Sequence, residues 1–295
     1  MLSAATLRKI RRIELHTKKL VNESFAGAYH AVFKGRGIAF DSVRPYEPGD
    51  NVRDIEWNVT ARTGQPFVKR YIEERELTVM LLLDSSASVM FGSVQQRKRD
   101  LAAELGATLA FAAISNNDKA GLMVFSDQIE LYIPPRKGRN HTLRLIRDLL
   151  AAEPAHRGTD ISLALQSVTR MLKRRAIIFL ISDFLTPPNT YFHNLTLANR
   201  KHDVIAVTIT DPLEHAWPDA GLVSLRDAET GALTWVDTSS PAWRQQFAQQ
   251  ARAMVTQRDR ALARAGVDRI DLAVNSDYVS ALRIFFQKRA RRLRA

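Results

Sequence analysis

The sequence predicts an α/β fold: a doubly wound, mostly parallel, Rossmann-like sheet with a small N-terminal helix-plus-strand extension. Three observations carry this. From Leu77 onward, apolar runs of strand length alternate with segments of helical period, the pattern of a parallel sheet covered on both faces. Two of the runs, Thr78–Leu83 and Ala176–Ile181, are apolar almost throughout, as strands buried on both sides are. Before Leu77 the texture is Gly, Pro and aromatic, so the chain divides into 1–76 and 77–295.

In chain order, Leu2, Leu7, Ile10, Ile13 and Leu20 recur at near-helical spacing, and Ser3–Val21 reads as an amphipathic helix with a basic outer face. Phe25–Glu76 reads as short strands and turns rather than helices, since Gly27, Gly35, Gly37, Pro45, Pro48 and Gly49 punctuate it. Thr78–Asp84 is the first strand of the main sheet, followed by a helix over about Gln96–Ser115 and a strand at Lys119–Phe125. Gln128–Ile133 alternates polar and apolar residues, as an antiparallel edge strand does. Helices follow at Asn140–Ala152 and Ile161–Lys173, then strands at Ala176–Ile181 and Asp203–Thr210. Leu222–Arg226 and Leu233–Asp237, around Glu229-Thr230-Gly231, form a hairpin. A long amphipathic helix from Pro241 to about Ala265, a strand at Arg269–Val274 and a basic helix from Tyr278 complete the pattern.

Composition bounds the function. At 295 residues, 45% hydrophobic and 25% charged, the chain can bury a core, and its zero cysteines exclude disulfide scaffolds, cysteine-ligated zinc and thiol catalysis. No apolar run reaches the ~18 residues of a membrane span, and Met1–Leu20 lacks the apolar core of a signal peptide, so a cytoplasmic location is expected. The net charge of +12 is concentrated at the ends: residues 1–21 and 288–295 carry +5 each, leaving +2 for the body. That distribution argues against a broadly basic nucleic-acid surface and fits solvated helical faces.

In open α/β sheets the ligand site lies beyond the carboxyl ends of the strands. Asp84, Ser86 and Ser88 follow the first strand, Thr159 sits in a Gly-Thr loop before a helix, and Asp183 ends the most apolar strand. Two carboxylates and three hydroxyls are hard oxygen ligands that suit Mg²⁺ or Mn²⁺, with an open position for an acidic side chain from a partner. Each residue alone is better explained as a helix or turn cap than as a ligand, and only the ordered set points to an ion.

The ordered set Asp84-x-Ser86-x-Ser88, Thr159, Asp183 resembles the metal-ion-dependent adhesion site of the von Willebrand factor type A fold, and residues 77–295 are similar to that fold. Upstream, Gly35-x-Gly37-x-x-Phe40, Tyr46-Glu47-Pro48-Gly49-Asp50, Arg53-Asp54-Ile55-Glu56-Trp57-Asn58, Ala61-Arg62 and Val68-Lys69-x-Tyr71 resemble the conserved block of the domain-of-unknown-function fifty-eight family. Glu56 stands where that block usually has Asp, and Asn51 where a second acid is common. The resemblance implies an adaptor for a MoxR-type AAA+ ATPase or its client rather than an enzyme. Arg53, Asp54, Trp57 and Arg62 then offer a partner surface, the other reading being a buried structural ion pair. Two further classes remain: binding of nucleic acid or an anionic surface through the basic ends, and a Mg²⁺-dependent hydrolase. The seven histidines lack metal-ligand spacing, and no Gly-x-Ser-x-Gly elbow is present.

Overall fold

The computed structural model describes residues 38–73, 76–94, 96–152 and 156–294. The expected helix at Ser3–Val21 and the glycines Gly35 and Gly37 lie outside the described residues. The chain forms two compact units, one within 33–77 and one from Thr78 onward.

In the small unit, β1 (Ile38–Pro45) pairs antiparallel with β2 (Phe67–Glu73), with a bulge between Phe40 and Ser42. Between them run a 3₁₀ turn at Val52–Asp54 and a helix, α1 (Trp57–Thr63). The helix corrects the expectation of strands and turns alone. It is short, but both ends are closed: the Glu56 carboxylate accepts from Asn58 N, and Gly64 takes the left-handed conformation with φ 72° that ends a helix without a Cβ penalty. Glu56 also pairs with Lys69 of β2 at 2.9 Å, and Arg44 grips Asp50 through two bonds of 2.8 and 2.6 Å.

The large unit is built on a six-stranded sheet. In chain order its elements are β3 (Thr78–Asp84), α2 (Lys98–Ser115), β4 (Lys119–Phe125), β5 (Ile129–Arg136), α3 (Arg139–Ala151), α4 (Ile161–Met171), β6 (Ile177–Ser182), α5 (Pro188–Lys201), β7 (Asp203–Thr210), the hairpin β8 (Leu222–Arg226) and β9 (Leu233–Asp237), α6 (Pro241–Arg264), β10 (Asp268–Ala273) and α7 (Tyr278–Arg294). The sheet order is β10-β7-β6-β3-β4-β5, parallel except for the antiparallel edge strand β5. The chain moves outward from β3 through β4 to β5, then returns to the other side of β3 with β6. That reversal opens a crevice at the carboxyl ends of β3 and β6.

Alternation on β3 divides the core. Met80 and Leu82 face a cluster with Ile161, Leu165, Tyr191, Leu195 and Leu262 of α4, α5 and α6, while Leu81 faces Gly106 of α2. Gly106 lies so close to α3 that a Cβ there would meet Leu149 Cδ1 at 2.8 Å. Each fully buried Leu or Ile in these layers contributes about 1.5–3 kcal/mol of burial free energy.

Helix α5 adds to the elements that the sequence predicts. Its polar residues, Asn189, Thr190, His193 and Asn194, hide a buried stripe of Tyr191, Leu195 and Ala198 at helical spacing. At the C-terminus, Arg289 pairs with Asp203 and Asp268, and Arg292 with Asp268 at 3.0 Å. Part of the basic end therefore serves internal ion pairing. No helix among the described residues is long and apolar enough to cross a membrane.

Candidate metal centre at the strand ends

Asp84 is the last residue of β3 and is almost fully buried. Its Oδ1 accepts from the backbone N–H of Ser86 at 2.9 Å, which turns the chain sharply into the 3₁₀ turn at Ala87–Met90. Its Oδ2 accepts from the Ser182 hydroxyl at 2.6 Å, joining the end of β3 to the end of β6. The Ser86 and Ser88 hydroxyls lie 3.1 Å apart. Ser85 turns the other way, its hydroxyl 3.0 Å from Phe125 O and 3.0 Å from Glu130 Oε2. The alternate residues Asp84, Ser86 and Ser88 thus play a different part from the one between them.

Thr159 is half-buried in the loop before α4, and two backbone–backbone bonds and one bond to a side chain place that loop. Ala87 N donates to Arg157 O at 3.1 Å, His156 N to Glu130 Oε1 at 3.2 Å, and Asp160 N to Ser126 O at 2.8 Å. The first of these ties the loop to the turn that carries Ser86 and Ser88. Asp160 caps α4 by accepting from Leu163 N at 2.8 Å. His156 serves as a loop residue, its ring nitrogen 3.7 Å from Glu130.

Asp183 follows β6 and is buried. Its Oδ2 accepts from Lys98 Nζ at 2.7 Å, and its Oδ1 accepts from Leu185 N at 3.3 Å. Lys98, in the first turn of α2, is wholly buried and also pairs with Glu214. Burial works to lower its pKa, but Asp183 and Glu214 together hold the ammonium above its ordinary value. Burial raises the Glu214 carboxyl despite Lys98. Beyond β7, Asp211 accepts from Ser93 N at 2.8 Å and closes a capping box with Glu214. Ser93, Lys98, Asp211 and Glu214 were missed by sequence reasoning. The Asp211-Pro212-Leu213-Glu214 capping box was readable, whereas a lysine opening a helix carries no sign that it will be buried.

Asp84 tests whether this arrangement suits a cation. A carboxylate that merely capped a turn would be stabilised by its hydrogen bonds, yet burial and the nearby Asp183 charge push Asp84 up to about 7, outweighing Ser182 and Ser86. Lys98 pairs with Asp183 and with Glu214, whereas Asp84 is met by the Ser86 N–H and the Ser182 hydroxyl. The donor set of hard oxygens fits Mg²⁺ or Mn²⁺. Among the described residues no group of three or more His, Asp or Glu is arranged to hold an ion, and the candidate set draws instead on two carboxylates and three hydroxyls.

In the small unit, Trp57 is 66% exposed, and Arg53 and Arg62 are exposed as well. Asp54 is half-buried in the 3₁₀ turn that Asn51 caps by accepting from Arg53 N at 3.0 Å.

Comparison with known proteins places these features in context. Residues 42–257 match the family described as Protein of unknown function DUF58. The Uncharacterized protein Rv1480 of Mycobacterium tuberculosis is 32% identical over 284 residues, spanning 96% of this chain and 89% of its own. Among solved structures, the conserved hypothetical protein BatB from Bacteroides thetaiotaomicron is 18% identical with a TM-score of 0.47, covering 73% of this chain and 99% of its own. The SpRpn10 VWA domain is 11% identical with a TM-score of 0.39, covering 70% of this chain and 93% of its own.

Proposed function

The chain belongs to the DUF58 family, and from that premise and its strand-end site we propose that it is a non-enzymatic, metal-dependent adaptor that binds other proteins. Asp84, Ser86, Ser88, Thr159 and Asp183 would hold a Mg²⁺ or Mn²⁺ ion. When bound, the ion supplies an open coordination position for an acidic side chain of the partner. The observation behind this reading is Asp84, an almost fully buried carboxylate met by the Ser86 N–H and the Ser182 hydroxyl, at the crevice where the sheet order reverses.

The chain's own residues have separable parts. Asp84 supplies the uncompensated negative charge, Ser182 fixes one of its oxygens, and Ser86 and Ser88 present neutral donors that leave the ion net positive. The loop of Thr159 is held to the same turn through Ala87. The family resemblance makes a MoxR-type AAA+ ATPase, or its client, the partner of choice, in the cytoplasm. Exposed Trp57, Arg53 and Arg62, with Asp54, give the small unit a contact surface of its own. Nucleic-acid binding through the C-terminal basic segment is disfavoured by the pairing of Arg289 and Arg292 with Asp203 and Asp268.

The test is capture on the tagged protein of a purified MoxR-type ATPase from the same organism, in Mg²⁺ and in chelator. Retention in Mg²⁺ alone, lost in Asp84→Ala, is the expected result. A complex of equal strength in chelator and with Asp84→Ala would remove the ion from the account.

A further inference from the structure

The strand-end site contains a cation of its own. Lys98 Nζ lies 2.7 Å from Asp183 Oδ2, both side chains are at most 2% exposed, and Glu214 flanks the ammonium on its other side. A buried ammonium is costly unless paired, and here it is paired with one of the two carboxylates that the ion would use. Two unpaired carboxylates would satisfy most of a divalent charge without help. With Asp183 neutralised by Lys98, the ion faces Asp84 as its one uncompensated carboxylate and keeps a positive charge for the partner to satisfy.

We propose that Lys98 is a positioning residue that sets the strength of the metal site: by holding Asp183, it keeps the ion weakly bound until a partner supplies a carboxylate. This rests on the metal reading above and deepens it, because it makes ion and partner bind cooperatively. Glu214 shares the ammonium between two acids and moderates its hold on Asp183. Removing Glu214 therefore strengthens the Lys98–Asp183 pair, and removing Lys98 releases Asp183 toward the ion.

Mn²⁺ titration of the full chain, followed by electron paramagnetic resonance, tests this without a partner. Asp84→Ala serves as the metal-site control and thermal unfolding as the folding check. Lys98→Met is expected to bind Mn²⁺ about tenfold or more tightly than the natural protein, as follows from removing a unit charge close to the ion in a partly desolvated site. Lys98→Arg, which keeps the charge, is expected to bind within about twofold of the natural protein. Should Lys98→Met fail to fold, Glu214→Gln carries the test, with Mn²⁺ binding expected to weaken several-fold. Unchanged or weaker binding in folded Lys98→Met, or unchanged or tighter binding in Glu214→Gln, overturns the role of Lys98 while leaving the ion in place. Mn²⁺ binding that is equal in the natural protein and in Asp84→Ala overturns the metal reading itself, and the role of Lys98 with it.

Discussion

Asp84→Asn should make the metal-free protein more stable while abolishing its partner binding. The folded-state pKa of Asp84 is raised from 3.8 to about 7, first by burial and then by the charge of Asp183. Below pH 3.8 the group is neutral in both the folded and unfolded states and costs nothing. As pH rises from 3.8 to about 7 the unfolded chain ionises and the folded one does not, so stability falls by about 1.36 kcal/mol per pH unit. Above pH 7 the loss levels off at an upper bound of about 4 kcal/mol.

Asparagine keeps an oxygen to accept from Ser86 N, and the Ser182 hydroxyl can rotate to accept from the new amide. Even if repacking consumes half the benefit, Asp84→Asn should gain about 2 kcal/mol at pH 8 in chelator. For a domain of this size that is a rise of roughly 4–8 °C in Tm. The gain should be about 2 kcal/mol smaller at pH 5.5, where the natural Asp84 is already protonated in the folded state. Calorimetry at the two pH values reads both numbers. Equal or lower stability of Asp84→Asn in chelator at pH 8 would mean that Asp84 is a satisfied structural carboxylate, and the argument for a cation would fail.

Three further outcomes follow from the same geometry. Mg²⁺ or Mn²⁺ must displace the Asp84 proton, so ion affinity should fall about tenfold per unit as pH drops below about 7, with close to one proton released per ion in calorimetric titrations in different buffers. His202 is buried with neither ring nitrogen hydrogen-bonded, and burial, with Lys201 and Arg175 nearby, lowers its pKa to about 4. The unfolded chain takes up that proton first, so stability should drop by up to about 3 kcal/mol between pH 6.5 and 4, and His202→Leu should flatten this part of the urea-unfolding profile. Trp57→Ala, at an exposed position, should shift stability by no more than about 0.5 kcal/mol and weaken capture of the partner.

Strands buried on both faces proved the most legible parts of the chain. Thr78–Asp84, Lys119–Phe125 and Asp203–Thr210 have the expected limits, because continuous apolar runs ending in polar residues leave little freedom of assignment. The hairpin at 222–237 was equally clear from its turn residues. Helix α5 escaped because its propensity is weak and its apolar stripe is narrow, so packing of Tyr191 and Leu195 on the sheet decides its state. Helix α1 escaped because it depends on two caps, Glu56 and Gly64, rather than on a periodic pattern.

At the site, the strand-end rule pointed to Asp84 and Asp183, and topology brings them together at the reversal between β3 and β6. Lys98 was invisible for a physical reason: whether a lysine is solvated or buried depends on acids more than eighty residues away in sequence, Asp183 and Glu214, which only the folded sheet brings to it.

The most direct measurement is a crystal structure of the natural protein grown with Mn²⁺, with anomalous differences recorded at the manganese edge. The account predicts one anomalous peak bounded by Asp84, Ser86, Ser88 and Thr159, with Lys98 still paired to Asp183. No peak there at saturating Mn²⁺, with Asp84 still bonded only to Ser86 and Ser182, would contradict it.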